Sequence, residues 1–271
     1  MEVTVLGTGS PMALTAATGL VVAAPGCAPL LIDTCGGFEL PRQLVRAGIP
    51  LRDLRHVIAT HRHLDHIGGM AALFIGTRAL DIYALADTHA GIRGLMAACF
   101  PEWSLDHPAL RQVAVTAGER REIAGYAVEF FAVEHRVPTL AVRVERAGRV
   151  LAFSADSVPC AGLEACARDA DLFLCDALYA AGDLDPYLAS GELALPPGLE
   201  LAQALMHPTA HWCSSTWGRG PTGSGWRRRH GLPTLVRWSW PRTVPPTRCS
   251  WRRPRAPGPR TRPGRAPAPP G

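Results

Sequence analysis

Apolar and polar positions alternate over Glu2-Val3-Thr4-Val5-Leu6, the period-two pattern of a half-buried strand, and this run ends in the turn residues Gly7-Thr8-Gly9-Ser10-Pro11. Short apolar runs bounded by turn residues recur at 19–24, 30–33, 56–60, 81–84, 127–133, 140–145, 150–153 and 172–175, and each predicts a strand. Apolar residues spaced by three and four predict helices over 39–47, 68–75, 89–99, 162–168 and 199–205. Strands and helices interleave, so the pattern predicts an α/β or α+β fold with extensive sheet.

After Ala210 the periodicity stops, and composition explains why. All 23 acidic residues lie before position 211, where 15 basic residues leave a net charge of −8; residues 211–271 carry +13 and hold six of the seven Trp and 12 of the 25 Pro. Such a segment offers no apolar face and predicts no packed core. Two units are therefore expected, a folded body over 1–210 and a basic Arg/Pro/Trp-rich tail over 211–271. The tail reads either as a disordered arm that contacts nucleic acid or as the product of a reading-frame shift in GC-rich DNA, the second being preferred. No stretch approaches the roughly 18 uninterrupted apolar residues of a membrane span, and the start lacks a basic-then-apolar leader, so a cytoplasmic protein without a membrane partner is expected. Eight scattered cysteines without a Cys-x-x-Cys pair predict reduced thiols rather than a disulfide framework.

The chemistry is concentrated in His61-Arg62-His63-Leu64-Asp65-His66. His61 and His63 follow the apolar run 56–60 two residues apart, and alternation along extended backbone sends both imidazoles the same way. Asp65 and His66 sit at the turn into the helix that Gly68-Gly69 opens, and offer a carboxylate and a third imidazole to a neighbouring ion. Nitrogen and oxygen donors in this combination suit zinc and similar borderline metals. One histidine here would read as part of a solvated loop; three with an aspartate directly after a strand predict metal ligation.

These residues, with Gly68, resemble the His-x-His-x-Asp-His signature of the metallo-β-lactamase superfamily. Thr4–Pro11 resembles the opening strand and loop of its ribonuclease Z-like branch, and Leu31-Ile32-Asp33-Thr34-Cys35-Gly36 resembles its Asp-x-Gly region. The resemblance covers about residues 2–210 and implies a four-layer αββα sandwich with an incomplete C-terminal part. It implies that His135, at the end of Phe130-Phe131-Ala132-Val133-Glu134, is a further ligand, and that Asp156, after Val150-Leu151-Ala152-Phe153-Ser154-Ala155, bridges two ions. Asp176-Ala177-Leu178-Tyr179 and His207-Pro208-Thr209-Ala210 resemble two further motifs of that branch, which would make His207 a proton donor oriented by Asp176.

The implied reaction uses two divalent cations, zinc first with manganese or iron as alternatives. His61, His63, His135 and Asp156 would hold one and Asp65, His66 and Asp156 the other. Asp65, Asp176 and His207 complete the expected catalytic set, around a metal-bridging hydroxide. The final family histidine, on a strand after the His207 motif, is not recognisable, so weaker occupancy of the second site is expected. Ribonuclease Z proper carries a long tRNA-gripping arm between the residues matched by His135 and Asp156; only 21 positions separate them here, and with an acidic body this disfavours tRNA as a partner. A small phosphodiester is the expected substrate. A carboxylic ester, lactone or thioester is the alternative, and a non-catalytic metal-binding relic or a nucleic-acid-binding protein are the rivals; a homodimer is the assembly left open.

Overall fold

The structure, a computed structural model, describes residues 1–8, 16–77, 79–102 and 109–176, together with the backbone of four short strands beyond them. The first sheet contains β1 (Glu2–Gly7), β2 (Gly19–Ala23), β3 (Leu30–Ile32), β4 (His56–Ile58), β5 (Leu80–Ala84) and β6 (Leu110–Ala114). They lie in chain order, antiparallel from β1 to β3 and parallel from β3 to β6. The second sheet holds β7 (Arg120–Ile123), β8 (Tyr126–Val133), β9 (Thr139–Arg146), β10 (Arg149–Phe153) and β11 (Leu172–Cys175), antiparallel as far as β10 and parallel between β10 and β11. Beyond these, β12 (His211–Ser214) pairs with β11, β13 (Gly218–Arg219) pairs with β14 (Trp226–Arg227), and β15 (Val236–Ser239) pairs with β1.

Alternation decides which way each strand's side chains point. Val3, Val5, Leu20, Val22 and Ile58 of the first sheet meet Val128, Phe130, Val142, Val144 and Leu151 of the second in one buried core. The opposite face of the first sheet, including Val21, Leu31, Val57 and Ile82, packs on α1 (Glu39–Ala47), α3 (Met70–Gly76) and α4 (Ala86–Cys99). Ala141, Ala152 and Phe173 on the outer face of the second sheet pack on α5 (Ala161–Ala167). Helix, sheet, sheet and helix thus form the four layers expected of an αββα sandwich. Local chemistry agrees with this placement in α1, where Leu40, Leu44 and Ala47 line one buried face and Gly48, left-handed at φ 70°, caps the end.

Several boundaries differ from the sequence pattern. Strands β6 and β7 were not predicted because both are edge strands whose sequences, Leu-Arg-Gln-Val-Ala and Arg-Arg-Glu-Ile, are half-exposed and lack a clear apolar face. The helix expected over 68–75 is α3, and a separate α2 (Leu64–Ile67) precedes it, so Asp65 and His66 stand in a helical turn of their own. Gly69 between them lets the Thr34 carbonyl approach, since an added Cβ there would lie 2.0 Å from its oxygen. Residues 61–63 form a bend, not a continuation of β4. The helix predicted over 199–205 and the boundary placed at 210 lie outside the described residues. Among the described residues no helix is long and apolar enough to cross a membrane, and Cys27, Cys35, Cys99, Cys160, Cys166 and Cys175 are free thiols.

Candidate metal centre

The predicted residues come from the C-terminal ends of strands in both sheets. His61 and His63 leave β4, Asp65 and His66 lie in α2, His135 follows β8, and Asp156 follows β10 through Ala155, a non-glycine residue at φ 50°. One donor atom from each of His61, His63, His135 and Asp156 falls within 4.8 Å of all the others, and the same holds for Asp65, His66 and Asp156. Asp156 is common to both groups. Asp176, at the end of β11, donates its backbone N–H to Ser154 Oγ at 2.8 Å, and its side chain is hydrogen-bonded to Asp156. His207 lies outside the described residues.

Distances within the cluster fit a cation better than a hydrogen-bond network. The Nδ1 atom of His63 is 3.0 Å from His61 Nε2 and 3.0 Å from His135 Nε2. One ring nitrogen either donates or accepts in its plane, so two nitrogens approaching it together suit lone pairs aimed at a shared positive charge. Asp156 Oδ2 stands 3.8 Å from His61 Nε2 and 3.7 Å from His135 Nε2. Its Oδ1 is buried without a hydrogen-bond partner, 3.2 Å from His66 Nε2. A buried carboxylate oxygen without an aligned hydrogen bond needs a positive charge facing it, which a protonated His66 or a bound cation supplies.

Electrostatics divide the histidines into two kinds. Burial, reinforced by His66, pushes the His61 imidazole down to about 2, so it keeps a free lone pair through the neutral range. Burial also lowers His135, against the pull of Asp156. Burial works on His66 in the same direction, but Asp33 and Asp156 override it and hold its pKa well above the usual imidazole range. Burial would raise Asp156; the charge of His66, with Asp176 and His61, instead holds its carboxyl well below the usual carboxylate range.

One residue essential to this arrangement was missed among the predicted site residues. Asp33, fully buried after β3, accepts from the Thr60 N–H at 2.8 Å and the Thr60 hydroxyl at 2.9 Å, and its Oδ2 lies 2.7 Å from His66 Nδ1. A carboxylate on one ring nitrogen fixes the tautomer and aims the other nitrogen at the cluster. The neighbouring Thr34 secures the same turn: its N–H and hydroxyl both donate to the His66 carbonyl, at 2.7 and 2.8 Å. The available signal was Asp33's position at the end of an apolar run, the same signal that marked Asp156.

A sandwich of this topology with this cluster at its strand ends defines a class, the metal-dependent hydrolases of the metallo-β-lactamase fold. Residues 29–209 match the family model described as a beta-lactamase superfamily domain, and the chain belongs to that superfamily. Within it the chain is similar in sequence to ribonuclease Z. Ribonuclease Z of Mycobacterium sp. strain KMS is 32% identical over 192 residues, covering 63% of this chain and 66% of that relative, so the chain spans slightly less than two thirds of the relative's length. The human short-form tRNase Z superposes with a TM-score of 0.59 at 20% identity, covering 78% of this chain and 92% of that one. A diphosphatase from the PhnP family superposes with a TM-score of 0.56 at 19% identity, covering 76% and 83% respectively.

Proposed function

We propose that this chain hydrolyses a small phosphodiester with two divalent cations, zinc by preference, held by His61, His63, His135 and Asp156 and by Asp65, His66 and Asp156. The observation that carries the reading is the pair of donor groups sharing Asp156. When bound, such cations act as Lewis acids and supply water ionised near neutral pH. The protein's own residues then have distinct tasks. Asp33 holds the ring of His66, burial keeps His61 unprotonated, and Asp176 shares a hydrogen bond with the bridging carboxylate. His207 is proposed as the group that protonates the departing oxygen.

Substrate size follows from the chain between His135 and Asp156. Residues Thr139–Arg146 and Arg149–Phe153 are consecutive antiparallel strands joined by Ala147-Gly148, both left-handed, a two-residue hairpin turn. No arm able to grip tRNA leaves the sheet there, which favours a small molecule over tRNA. Bis(p-nitrophenyl) phosphate and p-nitrophenyl acetate, assayed side by side on the zinc-loaded chain, test the choice. Faster metal-dependent release from the phosphodiester is expected; release from the acetate alone would transfer the assignment to esters, lactones or thioesters. Absence of turnover in a metal-loaded chain would leave the non-catalytic reading.

Unequal filling of the two groups is a further expectation. Among the described residues the second group has three protein donors and the first has four, and the second group's imidazole, His66, carries a proton to higher pH than an ordinary histidine. Because that proton must leave before Nε2 can bind a cation, lowering the pH empties this group first, while His61 remains neutral. Metal content measured after equilibration from about pH 8 to about pH 6 should fall from about two ions per chain towards one. Simultaneous loss of both would contradict the division.

A further inference from the structure

The segment presenting His61 and His63 is anchored by a side chain. Among the described residues no backbone hydrogen bond involves His61 or Arg62, although Thr60 before them accepts from the Leu140 N–H at 3.1 Å and His63 after them accepts from His66 and Ile67. Arg62 turns to α4 instead. Its Nε lies 2.9 Å from Asp87 Oδ2 in the first turn of that helix, and its Cβ lies against Gly91 one turn further on. An added Cβ at Gly91 would sit 2.7 Å from Arg62 Cβ.

That last contact is the sharper constraint. The ion pair is 48% and 37% exposed and screened by water, so alone it adds little to stability. A Cβ cannot swing aside as the end of a long side chain can, so a methyl group at position 91 must push α4 and the Arg62 segment between the two histidines apart. Gly94, on the same helix, faces open space. Glycine is an unfavourable helix residue at both positions, and only Gly91 has a neighbour that requires it.

We infer that Asp87 and Gly91 are positioning residues that clamp Arg62 to α4 and thereby set the spacing of the His61 and His63 imidazoles. The inference rests on the metal-centre reading proposed above. Zinc affinity of the full chain, measured by competition with a chromophoric chelator, and the visible spectrum of the cobalt(II)-substituted chain test it. Gly91→Ala should weaken zinc binding about tenfold and alter the cobalt spectrum, as loss of supporting contacts around ligands does. Asp87→Asn should weaken it less, Asp87→Glu should restore wild-type affinity, and Gly94→Ala should leave affinity and spectrum unchanged. Wild-type affinity and spectrum in both Gly91→Ala and Asp87→Asn would overturn the clamp while leaving the metal centre intact. Should Gly91→Ala fail to fold, the contrast between Asp87→Asn and Asp87→Glu decides. A wild-type chain that takes up no metal would overturn the metal-centre reading and the clamp together.

Discussion

Replacing Asp156 by alanine is expected to weaken both cation sites at once. Every other candidate ligand belongs to one donor group, whereas Asp156 belongs to both. A bound cation contributes several kcal/mol to stabilising charge in such reactions, and each 1.36 kcal/mol is tenfold in rate, so phosphodiester turnover should fall about 10³-fold or more. Metal content should fall from about two ions per chain to one or fewer, since the three imidazoles of the first group remain. The fold should lose much less. Asp156 Oδ1 accepts no aligned hydrogen bond, and His66, which loses its ion pair with Asp156, keeps Asp33 as a partner. Elemental analysis and denaturant unfolding of the metal-free protein separate these effects. A variant that keeps two ions, or one that unfolds in buffer, would refute the assignment of Asp156 as a shared ligand rather than a structural residue.

How far the sequence disclosed this centre depended on whether a residue's partners lay near it along the chain. His61, His63, Asp65 and His66 were legible because four donors within six residues need no tertiary information. His135 and Asp156 end apolar runs, a signal shared with many turn residues, and it was the superfamily resemblance that separated them. Asp33 carried the same signal, yet its partners Thr60 and His66 lie 27 and 33 residues away, and nothing local ties them together. Arg62 carried no signal of its own, and its contact with Gly91 depends on where α4 packs. The sheets follow the same rule. Buried strands such as β4 and β8 show strong apolar patterns, whereas β6 and β7, on sheet edges with only half-buried faces, left none. The short α2 turn was hidden because two of its four residues are candidate ligands, chosen for chemistry rather than for helical periodicity.

Asp33 supports the second largest expectation, with consequences opposite to those of Asp156. Its carboxylate is 0% exposed and His66 1% exposed, and it satisfies three groups that have no water to turn to: the Thr60 N–H, the Thr60 hydroxyl and the His66 ring. Removing one member of a buried charged pair leaves the other uncompensated, and such changes destabilise by about 3–5 kcal/mol. Part of that loss can be relieved, because without Asp33 burial favours neutral His66 and the proton can leave. The two Thr60 donors have no comparable escape, and unsatisfied buried donors cost about 1–3 kcal/mol each. Asp33→Ala is therefore expected to destabilise the metal-free protein by about 3–5 kcal/mol in denaturant unfolding. Asp33→Asn should be milder, since it keeps one acceptor oxygen for Thr60 while presenting an amide to the others. In the folded fraction of either variant zinc affinity should drop about 10–100-fold, because the His66 ring is no longer held in its tautomer and orientation. The sign of the pH dependence is also set. A histidine whose folded pKa is raised stabilises the fold fully below its ordinary value near 6.5, and that contribution is lost as pH rises through the folded value. The difference in stability between wild type and Asp33→Ala should thus be larger at pH 6 than well above neutrality, and a gap that widened with rising pH would show that Asp33 does not stabilise a charged His66.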